Sequence, residues 1–302
     1  MTTEPDAPRA EANLLAYGLL SFTALCWGAN AIFGRLAVGE VSPMVLTMLR
    51  WLVAPALLVI SFRQLRRDWP LLRRQLPFLV AMGTLGLTAF NALYYIAAHW
   101  TSAINIGIVQ GALPCFVLIG AFLAYGTRVS GLQIAGVALT MLGVMLIGAG
   151  GDLARILSFA FNRGDLLIIL ACALYAGYTV ALKRGPAVSS LSLFTVLAGA
   201  AFLTSIPLVV IEWSVGSLQW PTPRGWVIVG LVFLFPSFFA QIFFIRGVAL
   251  IGPGRAGVFV NLVPVFASIL AVAVLGETFA LFQALALALV LGGIWLSEVG
   301  KR

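Results

Sequence analysis

The sequence predicts an all-α integral membrane protein of ten transmembrane helices, arranged as two inverted five-helix repeats around a central cavity. Three observations point there. The 302 residues are 62% hydrophobic and 9% charged, with a mean hydropathy of +1.07, whereas soluble domains are about 45–50% apolar and about 25% charged. Apolar runs of roughly twenty residues recur along the chain, and that length crosses a hydrocarbon layer about 30 Å thick at about 1.5 Å per residue. The second half of the chain also repeats the first.

Residues 1–13 form a polar, acidic, proline-containing tail. The first apolar run continues from Leu14 to about Val38. That is a full span rather than a signal peptide, which would have a basic start, a shorter apolar core and a small-residue cleavage site. Charge clusters and turn residues place the first span at 14–36. The second, 43–62, stops at the cluster from Arg63 to Arg74, and the third covers 77–97. Only His99 to Ser102 separates it from the fourth, 101–124. A hairpin is required there, because one helix from Pro77 to Tyr125 would be about 70 Å long. The fifth span is 130–149. After a connection near Gly150 to Gly164 come 165–183, closed by Lys183 and Arg184, then 190–212, 225–247, 254–275 and 279–298.

The net charge of +8 does not point to nucleic acid, because the basic residues occur in short clusters between apolar runs and not on one face. They read as topology determinants. Arg9, Arg63, Arg66, Arg67, Arg73, Arg74, Arg128, Lys183, Arg184, Arg246, Arg255, Lys301 and Arg302 fall on one side of a ten-span path; Arg35, Arg155, Arg163 and Arg224 fall on the other. Both termini are therefore expected in the cytoplasm of a bacterial-type inner membrane. Cys26, Cys115 and Cys172 lie inside apolar helices, odd in number and without metal-ligand spacing. They read as small core hydrophobes, and no cofactor or metal is expected.

Gly107, Pro114, Phe116, Ile119, Ala121, Gly126, Gln133, Ala138, Leu139, Gly143 and Leu146 all recur 150 positions later. Ala24 to Asn30, ALCWGAN, is echoed more weakly by Ala173 to Thr179, ALYAGYT. The chain thus divides into residues 1–150 and 164–302. Five spans is an odd number, so the second unit must enter the bilayer from the opposite side, giving an inverted pair. Such a pair has two packings of similar energy, one open to each side.

The WGAN at Trp27 to Asn30, Arg50 in LRW, the prolines of the fourth and ninth spans and LGE at Leu275 to Glu277 together resemble the drug/metabolite transporter superfamily, in particular its EamA-type ten-helix exporters. The likeness covers nearly the whole chain. It implies export of small amphipathic metabolites by alternating access, with the cytoplasmic membrane as the setting. Trp27, Tyr94, Tyr95 and Trp100 look like the branch that exports aromatic amino acids. The sequence departs from the family pattern at Tyr125 to Thr127, where YGT stands in place of LGE, so Glu277 has no acidic twin.

A solute chamber needs a few polar groups and aromatic faces near mid-membrane, and polar side chains in mid-span avoid lipid. Asn91, Tyr95 and His99 form one stripe of the third span, with Tyr94 beside it. Asn91 and Tyr95 line the chamber or bond a neighbouring helix. His99 falls at the outer end of its span, suited to an interfacial role or to solute contact. Trp27 and Asn30, with Tyr175 and Tyr178 at the matching place in span six, are expected to face each other across the chamber or, for Trp27, to pack the core. Arg50, seven residues into span two, either captures a substrate carboxylate through its planar fork or bonds helix-end carbonyls. Gln110, Gln241 and Asn261 complete the expected solute-binding set. Pro114 and Pro264 are expected to kink spans four and nine beside Gln110 and Asn261, with Gly111 adding freedom, so that the pair acts as a hinge.

No Asp or Glu occupies a mid-span position, so facilitated movement is favoured over proton coupling, and the chain has no Walker sequence. A small-molecule solute and the bilayer are the expected partners, and a monomer the functional unit. The alternatives are an exporter of cationic or aromatic drugs, an intramembrane lipid-modifying enzyme and an open channel. A single histidine without mid-plane acids counts against the enzyme, and paired prolines in inverted units count against the channel.

Overall fold

The computed structural model describes residues 7–152, 154 and 161–300. Arg155, Lys301 and Arg302 of the charge count lie outside these. The regular elements are helices throughout: α1 (Ala7–Leu36), α2 (Pro43–Arg50), α3 (Val53–Leu72), α4 (Leu76–Gly83), α5 (Phe90–Ala97), α6 (Ala103–Gly111), α7 (Leu113–Tyr125) and α8 (Gly131–Gly148), then α9 (Arg163–Ala181), α10 (Ser190–Ser214), α11 (Pro223–Val232), α12 (Ala240–Ile251), α13 (Pro253–Val260), α14 (Val263–Leu275) and α15 (Leu281–Val299). Helix α1 starts ahead of its apolar run because alanine and glutamate, both good helix formers, carry it back to Ala7.

Among the described residues, nine helical stretches are long and apolar enough to cross a membrane, against the ten expected. The difference is the 55-residue stretch Pro43–Ala97. It doubles back at the 3-10 turn Arg73–Gln75, as its contacts along α10 show. Descending from residue 42, Ser42 bonds Glu212, Ser61 bonds Thr195, and Asp68 accepts from Ser189 N. Past the turn the order reverses, with Gly83 against Leu197 and Ala200 and the Thr88 hydroxyl on Ala201 O. The exposed Arg63, Arg66, Arg67, Arg73 and Arg74 gather around this reversal.

Local sequence explains the boundaries. Ser102, Asn162 and Thr222 accept backbone N–H groups at the starts of α6, α9 and α11, satisfying donors that the first helical turn leaves free. Gly126 and Gly276 close α7 and α14 in the left-handed conformation, φ 60° and 66°, which a side chain would resist. Ser130 and Gln133 make a reciprocal cap at the start of α8, and Gln283 Oε1 accepts Ala280 N at the start of α15. The helices bridging α4 to α5 and α11 to α12 are π-turns, Thr84–Ala89 and Phe233–Phe239; such wide turns free backbone groups inside a helix.

The two portions of the chain interlock. Helix α1 packs on α12 and α14, and α9 packs on α5 and α7. Helices α8 and α15 meet at glycines, since a Cβ on Gly136 would overlap Gly293 O and one on Gly293 would overlap Gly136 O. Without a hydrophobic force between helices in lipid, such close backbone approach is what holds them.

Candidate functional site

Four of the expected polar residues converge on one buried network. Helix α2 ends at Arg50, and the break at Trp51 and Leu52 before α3 turns its guanidinium inward, where it is 5% exposed. Arg50 Nε donates to Ser237 Oγ at 3.1 Å, and Nη1 donates to Asn91 Oδ1 and, at 2.6 Å, to Tyr95 Oη. Tyr95 Oη donates in turn to Asn30 Oδ1 at 3.0 Å. The Arg50 guanidinium also lies 5.3 Å from the Trp51 ring centre and 5.7 Å from that of Tyr95. The partners are side chains, so the expected bond to helix-end carbonyls does not form. Asn91 Nδ2 donates to Leu87 O inside the π-turn Thr84–Ala89, and Ser237 Oγ donates to Val232 O, just ahead of the π-turn Phe233–Phe239. Ser237 is the member that sequence reasoning missed. Its only signal was a small polar residue inside the proline-broken FLFPSFF.

The aromatic residues form two groups rather than one facing pair. Trp27, half-buried, packs on Phe244 of α12 with ring centres 5.2 Å apart. Tyr175 packs on Phe90 at 5.0 Å and on Tyr178 at 5.3 Å. Trp27 thus meets α12, and Tyr175 meets α5 and its own helix α9, with no ring contact between Trp27 and Tyr175 among the described residues. Tyr94 is fully buried, edge-on to Tyr95, with no hydrogen-bond partner on its hydroxyl. Gln110 is half-buried with Oε1 unpartnered. Gln241 reaches Pro236 O at 3.5 Å, and Asn261 lines a groove with Val258, Leu291 and Trp295.

His99 lies away from this network, in the turn after α5, beside Ile96, Ser42, Glu212 and Gln219. Partial burial and then the Arg35 cation lower its pKa from the ordinary histidine value, with Glu212 opposing.

The prolines do interrupt their helices. Span four breaks at Ala112 and span nine at Asn261 and Leu262, each just ahead of its proline. Gly111 is not a free joint, however. It is buried, and a Cβ there would stand 2.9 Å from Pro264 Cγ.

Around these breaks the two ends of the molecule differ. At the Glu277 end the joints between the portions are dense. Glu277 accepts Ala103 N at 2.8 Å and Ile104 N at 3.1 Å, capping α6. Asp165, 1% exposed, accepts from Thr101 at 2.5 Å, while Asn105 accepts from Gln283 at 2.8 Å. Glu212 accepts Ser42 Oγ and Met44 N at the start of α2. Helix α6 is clasped against α14, and a Cβ on Gly107 would overlap that of Ala267. At the opposite end, α13 and α7 scarcely touch among the described residues, and Gly257 has nothing within 4 Å of where its Cβ would be. Thr127, standing where Glu277 stands 150 residues later, leaves its buried hydroxyl without a partner. Residue 253, at the start of α13, is a proline with no N–H to offer.

A family model described as the EamA-like transporter family matches residues 14–149 and 162–298. The Bacillus subtilis (strain 168) protein named Uncharacterized transporter YetK is 26% identical over 289 residues, covering 95% of this chain and 88% of its own length. The Escherichia coli (strain K12) protein named Uncharacterized inner membrane transporter YedA is 26% identical over 297 residues, covering 94% and 91%. A solved crystal structure superposes with a TM-score of 0.63 over 97% of this chain and 99% of its own, at 21% identity. That likeness carries the fold alone.

Proposed function

This chain belongs to the EamA-like transporter family, a multi-pass membrane transporter family, and on that premise we propose that it exports small amphipathic metabolites, aromatic and other apolar amino acids among them, by alternating access. The observation that carries this reading is the contrast between Gly107, pressed on Ala267, and Gly257, facing open space. The same sequence element is closed at one end of the molecule and free at the other. A transporter caught between two packings has this asymmetry, whereas a continuous pore has no need of it.

The reading takes the chain as ten spans in two inverted units, 1–150 and 164–302, with both termini in the cytoplasm of an inner membrane. The doubling back at Arg73–Gln75, the paired helix breaks and the two-part family match support the layout, and the relative named as an inner membrane transporter supports the location. On that orientation the Glu277 end faces outward, and the sparse packing between α13 and α7 suits a state open to the cytoplasm. Solute binds between the Asn30–Arg50–Asn91–Tyr95 network and the rings of Trp27, Tyr175 and Tyr178.

Purified protein in liposomes, given a panel of aromatic, aliphatic, acidic and basic amino acids with and without a pH gradient, tests this. Selective movement of aromatic and apolar amino acids is expected. Movement of cationic aromatic drugs alone would favour the drug-exporter alternative, and movement of no small solute would overturn the exporter reading.

A further inference from the structure

We propose that Arg50 receives the anionic head group, a carboxylate, of the transported solute; this deepens the exporter reading and rests on it. A guanidinium stays charged at any working pH. Held inside a membrane protein without a counter-charge it carries a desolvation penalty of several kcal/mol. Among the described residues no carboxylate pairs with Arg50, and every hydrogen-bond partner of Arg50 is neutral; Arg224 pairs with Glu40 at 3.7 Å, at the rim. The carboxyl end of α2 offers part of the compensation, but no formal negative charge.

The hydrogen-bond inventory points the same way. Three of the five guanidinium N–H groups are used, and among the described residues Nη2 has no acceptor. The two hydroxyls beside Arg50 are committed to protein acceptors, and Asn91 spends one of its two amide N–H groups on the backbone. Ser237 Oγ donates to Val232 O, Asn91 Nδ2 to Leu87 O, and Tyr95 Oη to Asn30. Two further polar groups beside the network, Trp51 Nε1 and Tyr94 Oη, are buried without partners. A cluster with surplus donors and one unbalanced positive charge is complementary to a compact anion with several lone pairs. A carboxylate fits that description, and Arg–carboxylate contacts are among the stronger hydrogen bonds a protein makes.

Position makes the anion part of the cargo. The network is assembled from α1, α2, α5 and the π-turn before α12, so it straddles both portions of the chain. Asn30 and Trp27 lie one turn apart on α1. A solute with its carboxylate at Arg50 therefore has an aromatic surface, Trp27 on Phe244, about one helical turn away for its apolar part.

The test uses a pair matched in shape and opposite in charge, 3-phenylpropionate and 3-phenylpropylamine. Wild-type protein in liposomes is expected to take up the carboxylate at least tenfold faster than the amine. In detergent, the carboxylate should raise the melting temperature at concentrations at least tenfold lower. Arg50→Lys should keep the preference for the carboxylate, weakened, and Arg50→Gln should lose it. Equal or better handling of the amine by the wild type would overturn the role of Arg50 while leaving export intact. Stabilisation by chloride equal to that by 3-phenylpropionate would also overturn it, since the anion would then be independent of the cargo. The melting measurement needs no variant and no transport, so it decides the matter even if Arg50→Gln does not fold. Failure of the whole solute panel, by contrast, would sink the exporter reading.

Discussion

Gly111 bears directly on Pro264: a methyl group at 111 would sit 2.9 Å from Pro264 Cγ. One residue belongs to the break in span four and the other to the break in span nine, so the two bends touch and neither straightens alone. Pro114→Ala or Pro264→Ala restores a backbone hydrogen bond to its helix, and either should slow turnover severalfold while changing solute affinity less than twofold. Equilibrium binding measured beside initial uptake rates checks this split.

Gly107 and Gly257 give a pair of opposite arrests. A leucine at Gly107 cannot coexist with Ala267 in the present packing, so Gly107→Leu should hold the Glu277 end apart. Gly257→Leu has room in the present packing and should instead block closure of the other end. Both variants should transport at least tenfold more slowly than wild type. Single engineered cysteines near each end, labelled from one side or the other with an impermeant thiol reagent, should show reversed accessibility.

Glu277→Gln keeps the size of the side chain that caps α6 but removes its charge and leaves one acceptor oxygen for two N–H groups. Charge-assisted bonds are worth about 1.5–3 kcal/mol and neutral ones about 0.5–1.5. Weakening one of these two bonds and losing the other costs at least about 2 kcal/mol, so the population should shift away from closure at this end by at least about 30-fold. Distances between spin labels across the end would report it, and an unchanged distribution would contradict the role given to this carboxylate.

Trp27→Ala removes the ring that packs on Phe244. An aromatic contact is worth about 0.5–1.5 kcal/mol beyond its buried area, so affinity for aromatic solutes should fall about tenfold, with aliphatic ones affected less. Competition between phenylalanine and leucine for uptake measures it.

His99 carries a pH dependence of known sign. Its pKa in the folded protein is lowered, first by burial and then by Arg35. The unfolded chain therefore takes up the proton first, and stability is lost as pH falls through the ordinary histidine value near 6.5. Acidifying from about pH 7.5 to about 5.5 should lower the melting temperature of the wild type more than that of His99→Gln.

The membrane class, most span limits and the two helix breaks were legible because they follow from length, hydropathy and proline, which act locally. The fold-back at Arg73–Gln75 was legible from charge and span length, although the helix itself hardly pauses there. The Asn91–Tyr95 stripe was visible as a spacing on one helix face. Its engagement with Arg50 was not, because that depends on how α2 and α5 pack. Ser237, Asp165 and Glu212 were hidden for the same reason: each answers a donor more than sixty residues away. Gly111 was misread as a source of freedom because a glycine that admits a neighbour and a glycine that bends look alike in a sequence.

The glycine crossing of α8 and α15 lies at the C-terminal end of each portion. Each portion thus ends in its own side of a fastener, a contact that does not run through the peptide link between residues 150 and 164. Made in one cell as separate polypeptides, the fragments should find each other in the bilayer and restore activity, and replacing Gly136 and Gly293 with bulky residues should leave them strangers.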